Sequence, residues 1–270
     1  MLNLSELTDK VRALAIEAGD FIREERKKFH REAIEKKHAH DYVSYVDKES
    51  EKKIVTRLKE LLPEAGFIAE EGSGTLNDEQ YCWLVDPLDG TTNFIHDNAP
   101  YCVSIALRSK KELLLGVVYE ICRNECFWTY KGAPSYLNGN EIHVSAISNL
   151  DDSFIALGFP YATEEYKPMA NHLVNTLYGN VAGLRLMGAA AVELCYIAAG
   201  RFEARIEAFI GPWDIAAGTI ILQNAGGMIT DFKGGDSYSS GSQVLASNGR
   251  IHRDLLNIIA VSYTHLRAHE

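Results

Sequence analysis

No stretch of this chain comes near the ~20 consecutive apolar residues that a membrane-spanning helix needs, and the N-terminus mixes charges where a secretory leader would run basic and then apolar. The expectation is a soluble, cytoplasmic protein with no membrane partner. Positive charge is scarce as well: 27 Lys and Arg stand against 37 Asp and Glu, for a formal charge of -10. Nucleic-acid surfaces need clustered cations to displace counterions, so no nucleic-acid partner is expected and small-molecule chemistry is favoured. Cysteines are few. Cys82, Cys102, Cys122, Cys126 and Cys195 are odd in number and sit in apolar contexts, which reads as reduced structural thiols. Cys122 and Cys126 lack the second pair that a zinc site would need. Also missing are a Gly-x-Ser-x-Gly nucleophile elbow and, after Gly72-Ser73-Gly74, the lysine of a P-loop. The nine histidines, His38 and His40 near Asp41 and His96 past the main motif among them, show no three-ligand spacing and read as exposed polar residues, with His96 left open as a residue bordering the active site.

At 270 residues the chain suits one compact unit of two packed halves. Leu4, Leu7, Val11, Leu14, Ala18 and Phe21 step by three or four and predict a helix to about Phe29; Val46, Ile54, Leu58 and Leu61 predict a second over 43–62, ended by Pro63 and Gly66. Short apolar or alternating segments at 66–69, 81–86, 103–107, 114–120 and 125–130 predict an antiparallel sheet. Beyond a soft boundary near 145, strands at 154–158 and 202–206 alternate with helices at 166–178, 188–199 and 214–224, an α/β pattern. The halves are thus 1–145 and 146–260. Residues 261–270 break the pattern and are read as an appended, non-native tail.

The chemistry concentrates in Trp83-Leu84-Val85-Asp86-Pro87-Leu88-Asp89-Gly90-Thr91-Thr92-Asn93. A strand is expected to end at Asp86, since Pro87 cannot donate to a ladder, which puts two carboxylates at a strand terminus. Mg²⁺ wants oxygen ligands and keeps several waters, so two aspartates, the Leu88 carbonyl and an incoming phosphate form a suitable set. Gly90 lets backbone approach an anion, which the following amides can bind. Glu70-Glu71 follows an apolar strand and adds a carboxylate beside Asp86 and Asp89 if the strands are neighbours; otherwise it is a solvated acidic loop. Asp214, after Trp213, is open between a helix N-cap and a further ligand. An aspartyl-phosphate mechanism of the haloacid dehalogenase type fits poorly, because its two aspartates lie two apart and here the separation is three.

Together Phe67-Ile68-Ala69-Glu70-Glu71, the segment 83–94, Gly188-Ala189-Ala190-Ala191 and Trp213-Asp214-Ile215-Ala216-Ala217-Gly218 resemble the inositol monophosphatase family, within the Mg²⁺-dependent, lithium-sensitive phosphatases that include fructose-1,6-bisphosphatases. The resemblance spans about residues 5–259. It implies an α/β fold, a five-layer α/β/α/β/α sandwich, and a homodimer. It implies two or three Mg²⁺ ions bound by Glu70, Asp86, the Leu88 carbonyl, Asp89 and Asp214. Glu70 and Thr91 match the residues that hold the attacking water, and Asp47 the acid that bonds the threonine. Gly90 and Thr91 amides would take phosphate oxygens, Gly188, Ala189 and Ala190 would approach the substrate, and Glu207 matches a glutamate that bonds polyol hydroxyls, unless it is one more surface acid beside Arg201, Glu203 and Arg205. Ala189, where many relatives have a hydroxyl residue, and Ala69, where glycine is common, are departures that bear on specificity. The implied reaction is hydrolysis of a sugar or polyol phosphate monoester, foremost myo-inositol monophosphate, with fructose 1,6-bisphosphate, histidinol phosphate and 3'-phosphoadenosine 5'-phosphate as alternatives. A regulatory protein-binding role is the other class, since some bacterial relatives are described as contacting the transcription machinery.

Overall fold

The computed structural model describes residues 2–30, 34–38, 41–74, 79–110, 112–159, 163–240 and 243–267. Helix α1 (Leu4–Lys28) starts where the Asn3 side chain accepts from the Glu6 amide, and Arg26, Lys27 and Lys28 in its last turn suit the negative end of its dipole. The predicted stripe is buried, with Ile22 in the place expected for Phe21. Strands β1 (Ile34–His38) and β2 (Asp41–Ser44) form an antiparallel hairpin that the periodicity did not signal. The side chain of His38 and all of His40 lie outside the described residues. Helix α2 (Tyr45–Leu61) begins two residues later than predicted because Ser44 is its N-cap, in a capping box with Asp47.

Seven strands follow around one short helix: β3 (Ala65–Ala69), β4 (Tyr81–Asp89), α3 (Thr91–Ile95), β5 (Cys102–Ser109), β6 (Leu113–Glu120), β7 (Glu125–Tyr130), β8 (Ser135–Leu137) and β9 (Asn140–Ile142). They make one sheet in chain order. It is not wholly antiparallel as expected, since β3 and β4 run parallel. Nor does β4 stop at Asp86. Its pairing with β3 ends at Val85 and its pairing with β5 skips from Asp86 to Asp89, so Pro87 sits in a bulge that asks for no ladder donor.

The second sheet has the order β11-β10-β12-β14-β13. It is built from β10 (Phe154–Leu157), β11 (Gly183–Arg185), β12 (Ala204–Ala208), β13 (Met228–Thr230) and β14 (Gln243–Ser247). Its helices are α4 (Thr163–Leu177), α5 (Ala190–Ala198), α6 (Pro212–Asn224) and α7 (His252–Arg267). Helix α7 continues through the first seven residues of the segment set aside as a tail.

Three apolar clusters bind these parts into layers. Helices α1 and α2 cover one face of the seven-stranded sheet through Val11, Ile22, Ile54 and Leu58. Helices α5 and α6 fill the space between the sheets, packing Ala191, Leu194, Ala217 and Ile221 against Leu84 and Ala106 on one side and Val244 and Ala246 on the other. Helices α4 and α7 close the far face with Leu173, Leu255 and Ile259. The result is the layered α/β/α/β/α arrangement. Helix α6 is apolar all round, as a helix between two sheets must be. No helix of the described residues is long and apolar enough to cross a membrane.

Candidate active site

The bulge of β4, the start of α3, the start of α5, the end of β12 and the start of α6 converge on one cavity of about 390 Å³. Its lining includes Glu70, Asp86, Leu88, Asp89, Gly90, Thr91, Gly188, Ala189, Ala190, Glu207 and Asp214, so of the catalytic, substrate and metal residues that the resemblance implies only Asp47 lies outside it. His96 is exposed and is not in the lining. Asp47 is fully buried just behind: its Oδ1 accepts from the Thr91 hydroxyl at 2.8 Å, and its Oδ2 from the Ser44 amide and hydroxyl at 2.9 and 2.7 Å.

Each acid is held by a local device. Asp86 Oδ1 accepts the Leu88 amide at 2.9 Å across the bulge. Asp89 accepts the Ala190 and Ala191 amides at 3.2 and 2.7 Å, and thereby caps α5, whose own N-cap, Ala189, has no side chain to do so. Asp214 is not the N-cap of α6: Gly211 is, and Asp214 lies one turn in, its Oδ2 accepting the Gly211 amide at 2.8 Å. Glu70 follows β3 and its amide donates to Val85 at 3.2 Å, which sets it beside the end of the β4 ladder, as neighbouring strands require. Buried Glu51 on α2 holds that loop by accepting the Glu71 and Ser73 amides at 2.7 and 2.9 Å.

Burial raises the pKa of all three aspartates, and mutual repulsion adds to it. Asp86 is pushed up by desolvation first and then by Glu70, Asp89 and Asp214. Asp89 is raised to about 7 by desolvation and Asp214, and Asp214 to about 6 by desolvation and Glu70. Asp86 and Asp214 hydrogen-bond to each other, an arrangement that two ionised carboxylates cannot hold. Asp47 is also raised by its burial, against the hydrogen bonds from Ser44 and Thr91.

Among the described residues no three His, Cys, Asp or Glu side chains are already gathered into a metal-ligand cluster. The donor set nevertheless fits a hard cation. Glu70, Asp86, Asp89, Asp214 and the residue Leu88 line one cavity and offer oxygen donors, Glu193 and Glu207 line it too, and among the described residues the only cation in its lining is Arg205. Divalent cations would offset both the burial and the mutual repulsion of these carboxylates.

The position of Gly90 is dictated by its surroundings: its φ is +91°, and a Cβ there would lie 2.9 Å from the Pro100 carbonyl. It opens α3, whose first-turn amides have no partner inside the helix. Asn93 ties α3 to the opposite wall, its amide nitrogen donating to Pro100 and Met187 carbonyls, each at 2.7 Å.

Sequence reasoning passed over Glu51, Asn93, Gly158, Glu193 and Arg205. Arg205 and Glu207 lie two apart on β12 and therefore point to the same face, which was the available signal. Glu207 is not a surface acid: its side chain is 15% exposed, paired with Arg205 and inside the cavity lining.

The chain matches the model of the inositol monophosphatase family over residues 3–265. It is 39% identical over 225 residues to a protein of Pasteurella multocida named Nus factor SuhB, covering 83% of this chain and 84% of that one. The solved extragenic suppressor protein suhB of Bartonella henselae is 32% identical with a TM-score of 0.87, covering 96% of this chain and 98% of that one. An inositol monophosphatase of Anabaena (Nostoc) is 31% identical with a TM-score of 0.84, covering 96% and 97%. The chain belongs to the inositol monophosphatase family.

Proposed function

We propose that the chain hydrolyses a sugar or polyol phosphate monoester, foremost myo-inositol monophosphate, by attack of a water with no covalent phosphoenzyme. The observation that carries this reading is the Thr91 hydroxyl committed as donor to buried Asp47, at the rim of the acid cluster. A hydroxyl whose proton is spent in this way presents lone pairs to the cavity, so it accepts a hydrogen bond from a water and orients it. Glu70 supplies a second acceptor for the same water. Amides of Gly90 and Thr91, at a turn that only glycine fits, donate to the phosphate oxygens.

Glu70, Asp86, the Leu88 carbonyl, Asp89 and Asp214 would hold two or three Mg²⁺ ions, supplying water acidification, charge neutralisation and stabilisation of the leaving alkoxide. Gly188, Ala189 and Ala190 wall the side facing the substrate body. The amides of Ala190 and of Gly188 are already taken, by Asp89 and Glu193, so this wall shapes the cavity more than it donates to a ligand. Glu207 accepts from the polyol. A homodimer and sensitivity to lithium belong to the same reading.

Phosphate release from inositol monophosphate, fructose 1,6-bisphosphate, histidinol phosphate and 3'-phosphoadenosine 5'-phosphate, with and without Mg²⁺, tests it. Metal-dependent release lost in Asp86→Asn is expected; activity indifferent to chelator sinks it. The naming of relatives as Nus factor SuhB favours a second reading, a binding role towards a transcription protein. A cellular phenotype that survives Asp89→Asn would select that role over the enzyme.

A further inference from the structure

Behind the wall that faces the substrate runs a buried chain of charges that the reaction itself does not use. Glu193, in the first turn of α5 and 1% exposed, takes the Met187 and Gly188 amides on Oε1, each at 3.1 Å, and Arg205 Nε on Oε2 at 2.5 Å. Arg205, 2% exposed, passes on to Glu207 through Nη2. Its remaining terminal nitrogen, Nη1, is buried and has no hydrogen-bond partner, although Arg205 lines the cavity. A guanidinium nitrogen left unpaired out of water is costly, and a ligand oxygen removes that cost.

We infer that Arg205 is a specificity-determining residue: Nη1 donates to a substrate oxygen adjacent to the hydroxyl that Glu207 accepts, so the pair reads two neighbouring hydroxyls of a polyol. The inference rests on the phosphatase reading above and sharpens its substrate class. Chemistry favours a diol over a second phosphate. Two carboxylates against one guanidinium leave the trio with one net negative charge, which repels a further anion. A vicinal diol matches it: one hydroxyl donates a hydrogen bond to the carboxylate, and its neighbour offers a lone pair to the guanidinium, with no charge added.

The neighbouring strand is shaped for this pair. Gly158, just past β10, leaves the space in which the Glu207 carboxylate lies; a Cβ there would fall 2.1 Å from Glu207 Cδ. Substitution at 158 therefore displaces Glu207 and with it the carboxylate that Arg205 Nη2 pairs with, while leaving the bond of Arg205 to Glu193 in place. Glu193 meanwhile fixes both Arg205 and the backbone of Met187 and Gly188, so the reading head and the substrate wall form one piece.

The test compares the parent, Arg205→Gln and Gly158→Ala on three esters with Mg²⁺: myo-inositol 1-phosphate, phenyl phosphate, which has no hydroxyl to read, and fructose 1,6-bisphosphate. Melting temperatures establish that each variant is folded, and Gly158→Ala keeps the test alive if Arg205→Gln does not fold. Both variants are expected to raise KM for inositol phosphate about tenfold more than KM for phenyl phosphate, the loss of one charge-assisted hydrogen bond, with the change carried by KM and not kcat. Equal losses on inositol and phenyl esters in folded variants would overturn the inference, and so would a loss confined to the bisphosphate. Calorimetric binding of free myo-inositol to parent and variants separates the two claims. Binding that depends on Arg205 in a protein that hydrolyses none of the esters would refute the phosphatase reading and leave the assignment of Arg205 standing.

Discussion

At the scale of single residues, Thr91 is the sharpest probe. Its hydroxyl donates to Asp47 Oδ1 at 2.8 Å and lies 3.1 Å from the Leu88 carbonyl, at the rim of the cavity. Thr91→Ala is expected to cut kcat by about 10²-fold with little change in melting temperature, and Thr91→Ser to restore most of it. Steady-state kinetics beside thermal unfolding check both. A second residue reports on stability alone. His252 is 3% exposed, and burial lowers its pKa to about 4. Thr230 Oγ1 already donates to the Asp231 carbonyl at 2.8 Å, so it accepts from His252 Nε2, and Nδ1 takes the Ser247 hydroxyl at 2.8 Å, which makes the ring neutral. Its folded pKa is below the unfolded value near 6.5, so its contribution is fully present above about 6.5 and lost as pH falls through about 4. Chemical denaturation of the parent and His252→Gln across pH 4–7 is expected to show a difference that shrinks toward acid pH.

At the scale of elements, the site depends on two turns that fix where helices begin. Ser44 caps α2 and also donates to Asp47, so Ser44→Ala is expected to cost about 1 kcal/mol and to lower activity as well, because Asp47 loses the Ser44 hydroxyl as a donor. Gly90→Ala meets both a φ of +91° and the Pro100 carbonyl, and is expected to cost about 1–3 kcal/mol, read by denaturant unfolding. Long elements were legible from sequence. The stripes of α1 and α2 carry their period openly because each helix buries one face, and the strands β4 to β6 read as continuous apolar runs because the sheet is covered on both faces. The three-residue strands β8, β9, β11 and β13 are too short to show a period, and the hairpin β1–β2 is mostly polar. Pro87 misled for a definite reason: its rule applies to a ladder position, and the bulge removes that position. In the site, the motif residues were legible because they are close in sequence or in known order. Arg205 and Glu193 were not, because their partnership across β12 and α5 exists only after folding. At the C-terminal end, His252, Leu255 and Ile259 of α7 are buried, and Val261 is exposed. A chain ending at Ala260 keeps these contacts and is expected to melt within about 2 °C of the full chain.

At the scale of the whole molecule, the acid cluster sets how stability and cation binding depend on pH. The folded chain keeps protons on Asp89 to about 7 and on Asp214 to about 6, whereas an unfolded chain releases them near 4. The folded form thus binds more protons than the unfolded form between about 4 and 7, and the contribution of these groups to stability declines as pH rises through that window. Mg²⁺ binds the deprotonated carboxylates and offsets the decline, so the rise in melting temperature on adding Mg²⁺ is expected to be larger at pH 8 than at pH 5.5. Both sheets and all three apolar clusters serve this one region. Strand β4 of the first sheet, β12 of the second and α6 between them deliver their ends to the same cavity, and the layering has that convergence as its functional consequence. The most direct measurement is release of inorganic phosphate from myo-inositol 1-phosphate by the parent and Asp86→Asn, each with Mg²⁺ and with chelator. The account predicts release by the parent with Mg²⁺ alone, and it is contradicted if Asp86→Asn or the chelated parent releases phosphate at the same rate.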